Sequence, residues 1–394
     1  MGRRSWNDRL WQAGFLVGSV LGAAATVAGR RAERAARRGL VDWAAVERVA
    51  VAHLARAPGR LSGTELRAAE GRYAAAVERV VPALAERLGT RLPDVVSRVS
   101  VVDRAGWVAA NVEAFRALLS RVEGPLLDQL LPPGAGLPKA TLALVNRWLT
   151  TRQLGFLLGF LGQRVLGQYD LALLTAEAAP GRLLFVEENV RLTAGALGVP
   201  LDEFRLWIVL HEATHAFEFE AHPWLRPYLA ERLEAQLAAF SREAPSLGRD
   251  ALRALGRSLR GEADGSWIER LMRPEQRRRF REVQAAMSVL EGFSDWVMAD
   301  LGPRLVPGGE EIGRRLVERR AQRTPWERAI LRLTGLDLKL EQYRAGERFV
   351  ATIVELGGPV AVERLWSGPE ALPSSEEIEQ PRRWLARVLA GRPA

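Results

Sequence analysis

The sequence predicts a mainly α-helical chain with a small β element. Three observations carry this. Apolar residues recur at three- and four-residue spacing through most of the 394 positions, the pattern of helices that each bury one face. Helix-start signals stand where that pattern begins, as at Ser62 with Glu65 three residues on. Gly181–Val190 (GRLLFVEENV) is the one stretch that reads convincingly as a strand. There is no repeat of fixed period and no low-complexity tract.

Near its start the chain has 17 residues without a charge, Ala13–Gly29. That is the short limit for a membrane-spanning helix, about 17–25 residues. Gly14, Gly18 and Gly22 line one helix face and permit close packing. Arg30 and Arg31 directly after the run, and Asp8 before it, argue against a cleaved signal peptide. A helix folded back on the body, a membrane-associating helix and, less favoured, a signal peptide remain as readings. Residues 1–40 are therefore set apart as an N-terminal segment.

A helical region is expected over 41–130. Val41–Ala57 has helical spacing, and Ser62 opens a second helix with a capping box. A short β-branched run after Ser97 turns helical near Trp107. Leu130–Pro138 (LLPPGAGLP) is the best linker in the chain. The remaining region, 139–394, starts with a long apolar helix and contains the strand. Pro200 and Asp202 then open a helix expected to reach about Phe219, with Asp202 as N-cap. Further helices fit Pro227–Ser241, Pro274–Leu301 and much of the chain from Thr324.

Cysteine is absent, which excludes disulfides, thiolate metal sites and a cysteine nucleophile. The formal charge is +9, and Lys139 and Lys339 are the only lysines among the basic residues. The arginines are spread through the chain and alternate with Glu and Ala, as on solvated helix faces. No nucleic-acid recognition motif accompanies them, so no specific nucleic-acid partner is expected. A cytoplasmic location is expected, with peripheral membrane contact through the N-terminal segment as the alternative.

Three of the four histidines fall in LWIVLHEATHAFEFEAHPWL, Leu206–Leu225. His211-Glu212-Ala213-Thr214-His215 is H-E-x-x-H. Residues four apart share a helix face, separated by about 6 Å of rise, so two imidazoles so placed can hold one Zn²⁺. Glu212 sits about 100° round the helix, where it can take a proton from an attacking water. Two core histidines and a glutamate left without partners would cost a few kcal/mol, which a metal removes.

A catalytic zinc wants three protein ligands and an open position. His222 is seven residues past His215, but the metzincin frame needs a glycine at 218 and a histidine at 221, where this chain has Glu218 and Ala221. Glu218 shares the face of the histidines but lies about 10 Å of rise from His211, too far to close on the same ion. The better candidate is Glu291 in AMSVLEGFSDWVMADLG. Asp295, one turn on, would accept the free ring N–H of a ligand histidine.

H-E-x-x-H followed far downstream by E-x-x-x-D resembles the gluzincin side of the zincin metallopeptidases. Together with VDRAGWVAANVEAF, VLGQYDLALL, SVLEGFSDWVMAD and KLEQYRAGERFV, it is similar to a bacterial family of zincin-like, zinc-dependent metalloproteases of the actinobacterial and Chloroflexi type. The resemblance implies a mainly helical zincin-like body and one zinc. It implies His211, His215 and Glu291 as ligands and Glu212 as catalytic base, and gives chemistry but no substrate; a peptide or protein substrate is expected from the metallopeptidase chemistry. The interval from His215 to Glu291, 76 residues, implies a helical insertion. The chain also departs from the family pattern at Phe293, where a histidine is frequent.

Amide hydrolysis needs a second electrophile beside the metal for the developing oxyanion. Of Tyr73, Tyr169, Tyr228 and Tyr343, the last is the first candidate, with Lys339 one turn before it. By analogy with zincin folds, the strand at Leu183–Val186 is expected as an edge that pairs with extended substrate. The competing function is a zinc-stabilised binding or scaffold protein, against which the intact Glu212 argues.

Overall fold

The computed structural model describes residues 28–91, 95–132, 134, 136–170, 181–236, 272–321 and 336–389, with backbone only for 96, 170, 320–321 and 336–344. Most of the uncharged run Ala13–Gly29 lies outside the described residues, and so do the side chains of Lys339 and Tyr343. In chain order the helices are α1 (residues 28–36), α2 (Trp43–Leu54), α3 (Gly63–Leu88), α4 (Arg104–Leu130) and α5 (Gly136–Gly162). They continue with α6 (Glu187–Leu197), α7 (Leu201–Ala221), α8 (residues 225–236), α9 (Pro274–Leu305) and α10 (Gly309–Ala321). The last are α11 (Leu336–Leu365), α12 (Ser375–Glu379) and α13 (Pro381–Leu389). Among the described residues there are three short strands: β1 (Val99–Val102), β2 (Gly167–Asp170) and β3 (Arg182–Val186). The mainly α expectation holds.

The caps explain several boundaries. Ser62 accepts from Glu65 N, and the Glu65 side chain returns to the Ser62 backbone, the reciprocal box the sequence announces. α4 begins at Arg104 rather than near Trp107, because Asp103 accepts from Gly106 N and caps it there. α7 is capped by Pro200, not Asp202. Asp202 sits in the first turn and pairs with Arg205, on the next turn. The break expected at 130–138 falls between α4 and α5.

The sheet has the order β1-β3-β2, with β1 parallel and β2 antiparallel to β3. Two strand expectations change here. The strand at 181–190 stops at Val186, because the carboxylates of Glu187 and Glu188 are drawn into buried pairs at the start of α6. β3 is also the central strand, so both its edges are already paired and it cannot receive substrate. β2 escaped the sequence reading, being four residues, Gly-Gln-Tyr-Asp, with little β propensity.

The sheet lies between two apolar cores. Leu183 and Phe185 of β3 join the larger core with α3, α7, α9 and α11, while Val186 joins a smaller one with α2, α4 and α5. α7 is buried along most of its circumference by residues such as Phe204, Val209, Leu210, Ala213, Ala216 and Phe217. Each large side chain so buried contributes about 1.5–3 kcal/mol. α9 lies across α11 at Gly292 and Gly346. A Cβ on Gly346 would stand 1.9 Å from the Ser288 carbonyl oxygen, so backbone meets backbone there.

Candidate metal centre

α7 presents His211 and His215 on the one stripe that is not fully covered. Their rings are 4.8 Å apart and nearly perpendicular. α9 brings Glu291 to the same place, its Oε2 3.9 Å from His215 Nε2. One ligand atom from each of His211, His215 and Glu291 lies within 4.8 Å of the other two, and the three side chains are half-buried. A point about 2.8 Å from all three atoms therefore exists. Zinc–ligand bonds of about 2.0–2.2 Å need a contraction of under 1 Å, within reach of side-chain torsions. The donor set, two imidazoles and a carboxylate, suits zinc, and its partial exposure leaves room for a fourth, open position. The tight Gly292–Gly346 crossing fixes the neighbouring turn of α9 and with it the origin of the Glu291 side chain.

Glu212 is buried against β2. The Tyr169 backbone N–H, which points away from β3, donates to Glu212 Oε2 at 2.9 Å. Gly167 is required here: a Cβ at that position would come within 2.7 Å of Glu212 Cγ and 3.0 Å of Oε1. Burial pushes the Glu212 carboxyl up to about 7, and Glu291 adds to the rise against the opposing pull of His215.

His215 Nδ1 is 2.8 Å from Glu218 Oε2, and Ser294 Oγ lies 3.3 Å from the same nitrogen. Glu218 is fully buried. Burial works against charge on the His215 ring, but the carboxylates of Glu218, Glu291 and Glu212 outweigh it and bring the ring up to about 10. Burial pushes Glu218 up to about 7, opposed by His215. At His215 the carboxylate on the second ring nitrogen is thus Glu218, three residues along its own helix, and not Asp295. The signal was present as H-x-x-E spacing, since i and i+3 are neighbours on a helix surface.

Asp295 lies one turn beyond Glu291 on α9, half-buried. His222 ends α7 and stacks flat on Trp366 at 4.7 Å, outside the metal-ligand group. Tyr73 is committed to Glu187, and Tyr169 to Glu220 and Arg226. Tyr343 stands on α11 three residues before Gly346. Among the described residues, no helix is long and apolar enough to cross a membrane.

The family model of zincin-like metallopeptidases matches residues 41–385 of this chain. The chain is also similar to a candidate hydrolase with a novel fold from Chloroflexus aurantiacus, known from a crystal structure. The two share 36% identity at a TM-score of 0.64, over 90% of this chain and 100% of the other. No curated protein matches it.

Proposed function

The chain belongs to the zincin-like metallopeptidase family, and we propose that it hydrolyses peptide amide bonds at a single zinc held by His211, His215 and Glu291. The observation that carries this is the convergence of those three ligand atoms from two helices, with the Glu212 carboxylate on the same helix as both imidazoles. Zinc bound there supplies Lewis-acid polarisation of the scissile carbonyl and brings the pKa of water down to about 7.

The chain's own residues do the rest. Glu212 takes a proton from the attacking water and returns it to the leaving nitrogen. The Tyr169 N–H holds Oε2, which leaves Oε1 to do this. Glu218 accepts the His215 Nδ1–H, fixes that tautomer and turns Nε2 towards the metal. Asp295 is the candidate for the same service to His211. Tyr343 is the candidate donor to the oxyanion, supported by its place on the helix that crosses α9 beside Glu291.

Purified protein should carry about one zinc per chain by elemental analysis, and His215→Ala should lose it. Absence of zinc after loading would sink the proposal. Glu212→Gln should keep zinc and fold while cleavage of a mixed peptide library, read by mass spectrometry, falls by about 10²–10⁴-fold. Equal cleavage by the two proteins would remove Glu212 from the chemistry. Wild-type protein that carries zinc and cuts nothing would favour the scaffold function. Glu218→Ala should weaken zinc binding by about 10–100-fold, with partial rescue by Glu218→Gln, whose amide oxygen can still accept the ring N–H. Unchanged affinity in Glu218→Ala would show that Glu218 does not position His215.

A further inference from the structure

α5 is apolar on two sides. Its inner side packs closely on α2: a Cβ on Gly155 would meet Val49 at 2.7 Å, and one on Gly159 would meet His53 at 2.9 Å. Among the described residues its outer side stays open. Leu142, Val145, Trp148, Leu149 and Phe156 fall within about 120° of the helix circumference, along about 21 Å of its axis. Each is between 39% and 60% exposed. Large apolar side chains gathered on one face mark an interaction surface, unlike exposed ones scattered singly.

The charges carried by α5 itself are of one sign, with Arg147 paired to Asp42 at the start of α2. α5 carries Lys139, Arg147 and Arg152 and no acid over its whole length. A groove of about 530 Å³ between α2 and α5 is lined by Arg48, Arg56 and Arg152 together with Trp148 and Phe156, and by no carboxylate. Among the described residues no carboxylate pairs with these three arginines. Some exposed arginines elsewhere are matched on their own helices, as Arg279 is by Glu275, Arg304 by Asp300 and Arg314 by Glu311. Here three unmatched guanidiniums line one groove beside an apolar stripe. α1, which packs on the first turns of α5, adds three arginines, Arg30, Arg31 and Arg34, against one glutamate, Glu33.

We propose that the α5 face, with Arg48, Arg56 and Arg152 beside it, docks on an anionic lipid surface. Tryptophan and long aliphatic side chains at the acyl boundary, with guanidiniums at the headgroups, are the recurring arrangement of interfacial helices. Charge decides between occupants. A second copy across a two-fold axis would set three unpaired guanidiniums against three more. The uncharged run Ala13–Gly29, folded over the stripe, would leave them unmatched. An anionic bilayer satisfies both the stripe and the arginines. Lasting attachment usually takes two signals, and the uncharged run leading into α1 is a second one in the sequence.

The test is co-sedimentation of full-length protein with vesicles of phosphatidylcholine, with and without about 30 mol% phosphatidylglycerol. The protein should bind the anionic vesicles, release with rising salt, and bind pure phosphatidylcholine far less. Trp148→Ser/Leu149→Ser should cut binding at least tenfold. Arg48→Glu/Arg56→Glu/Arg152→Glu should cut it by about 100-fold, at roughly fivefold per arginine. Circular dichroism and the melting temperature check that each variant is folded. A full-length Leu16→Asp/Leu21→Asp variant separates the face from the N-terminal run. The proposal is overturned by no vesicle binding, by equal binding to both compositions, by folded face variants that bind like wild type, or by loss confined to the Leu16/Leu21 variant. A dimer in sedimentation velocity that Trp148→Ser dissociates, without vesicle binding, would assign the face to a second copy instead.

Discussion

The two cores of this molecule bury apolar surface to different ends. The larger core encloses α7 and grips α9 against α11, so the helices that carry His211, His215 and Glu291 have little freedom to shift. The smaller core, of α2, α4, α5 and Val186, buries the inner side of α5 and leaves its outer side open. Two adjacent residues show the division. Glu187 turns into the larger core, where it pairs with Arg205 and Arg191 and accepts from the Tyr73 hydroxyl at 2.9 Å. Glu188 turns the other way and accepts from the backbone N–H groups of Arg104 and Leu61, both at 3.1 Å. A ligand set needs positions held to a fraction of an ångström, and surrounding helices provide that. A docking face needs only a rigid back.

Gly346→Val should have the largest effect. The added carbons meet the Ser288 backbone, which cannot yield, so a loss of about 4 kcal/mol or more is expected, together with zinc binding. Chemical denaturation checks it. Stability near wild type would mean that the two helices are not pressed together. Glu187→Ala comes next. It leaves the buried Arg205 guanidinium with only the exposed carboxylate of Asp202 and takes the acceptor from Tyr73, so about 3–5 kcal/mol should be lost. Glu188→Ala should cost less, about 1.5–3 kcal/mol, since Arg104 keeps its bonds to Asn189 and the Pro58 carbonyl. Amide exchange should quicken mainly in α2, α4 and α5 for the second variant and around α3 and α7 for the first. Identical exchange patterns would erase the distinction between the cores.

The smallest effect concerns pH. Burial pushes His222 from its ordinary 6.5 down to about 4. Its neutral ring fits the fold and a charged one does not. The stability it contributes is complete above 6.5 and is lost as pH falls towards about 4. His222→Phe keeps a ring against Trp366 and removes the proton, so its denaturation midpoint should fall less steeply across that window. Parallel curves for the two proteins would contradict the burial of His222.

Helix content, the Ser62 cap, the break after α4 and the H-E-x-x-H face were legible in the sequence because each depends on residues within a few turns of one another. The pairing of His215 with Glu218 is equally local, since residues three apart are neighbours on a helix surface. β2 could not be read, since four residues of weak propensity become a strand only by pairing with β3. Nor could the edge be assigned. β3 has the stronger strand sequence because it is central and apolar on both faces, and that same burial removes it from contact with substrate.

The sequence by itself determined the donor types, the four-residue spacing of the imidazoles and the glutamate between them. Those follow from helix geometry, which is the same in every protein. Tertiary structure alone decided that Glu291 reaches them across 76 residues, that the Tyr169 N–H fixes Glu212, and that α5 keeps one side uncovered. The physical reason is range. Backbone periodicity acts over one or two turns, whereas the closure of a ligand set and the exposure of a face depend on how distant helices pack, as α9 does on α11 where glycine meets glycine.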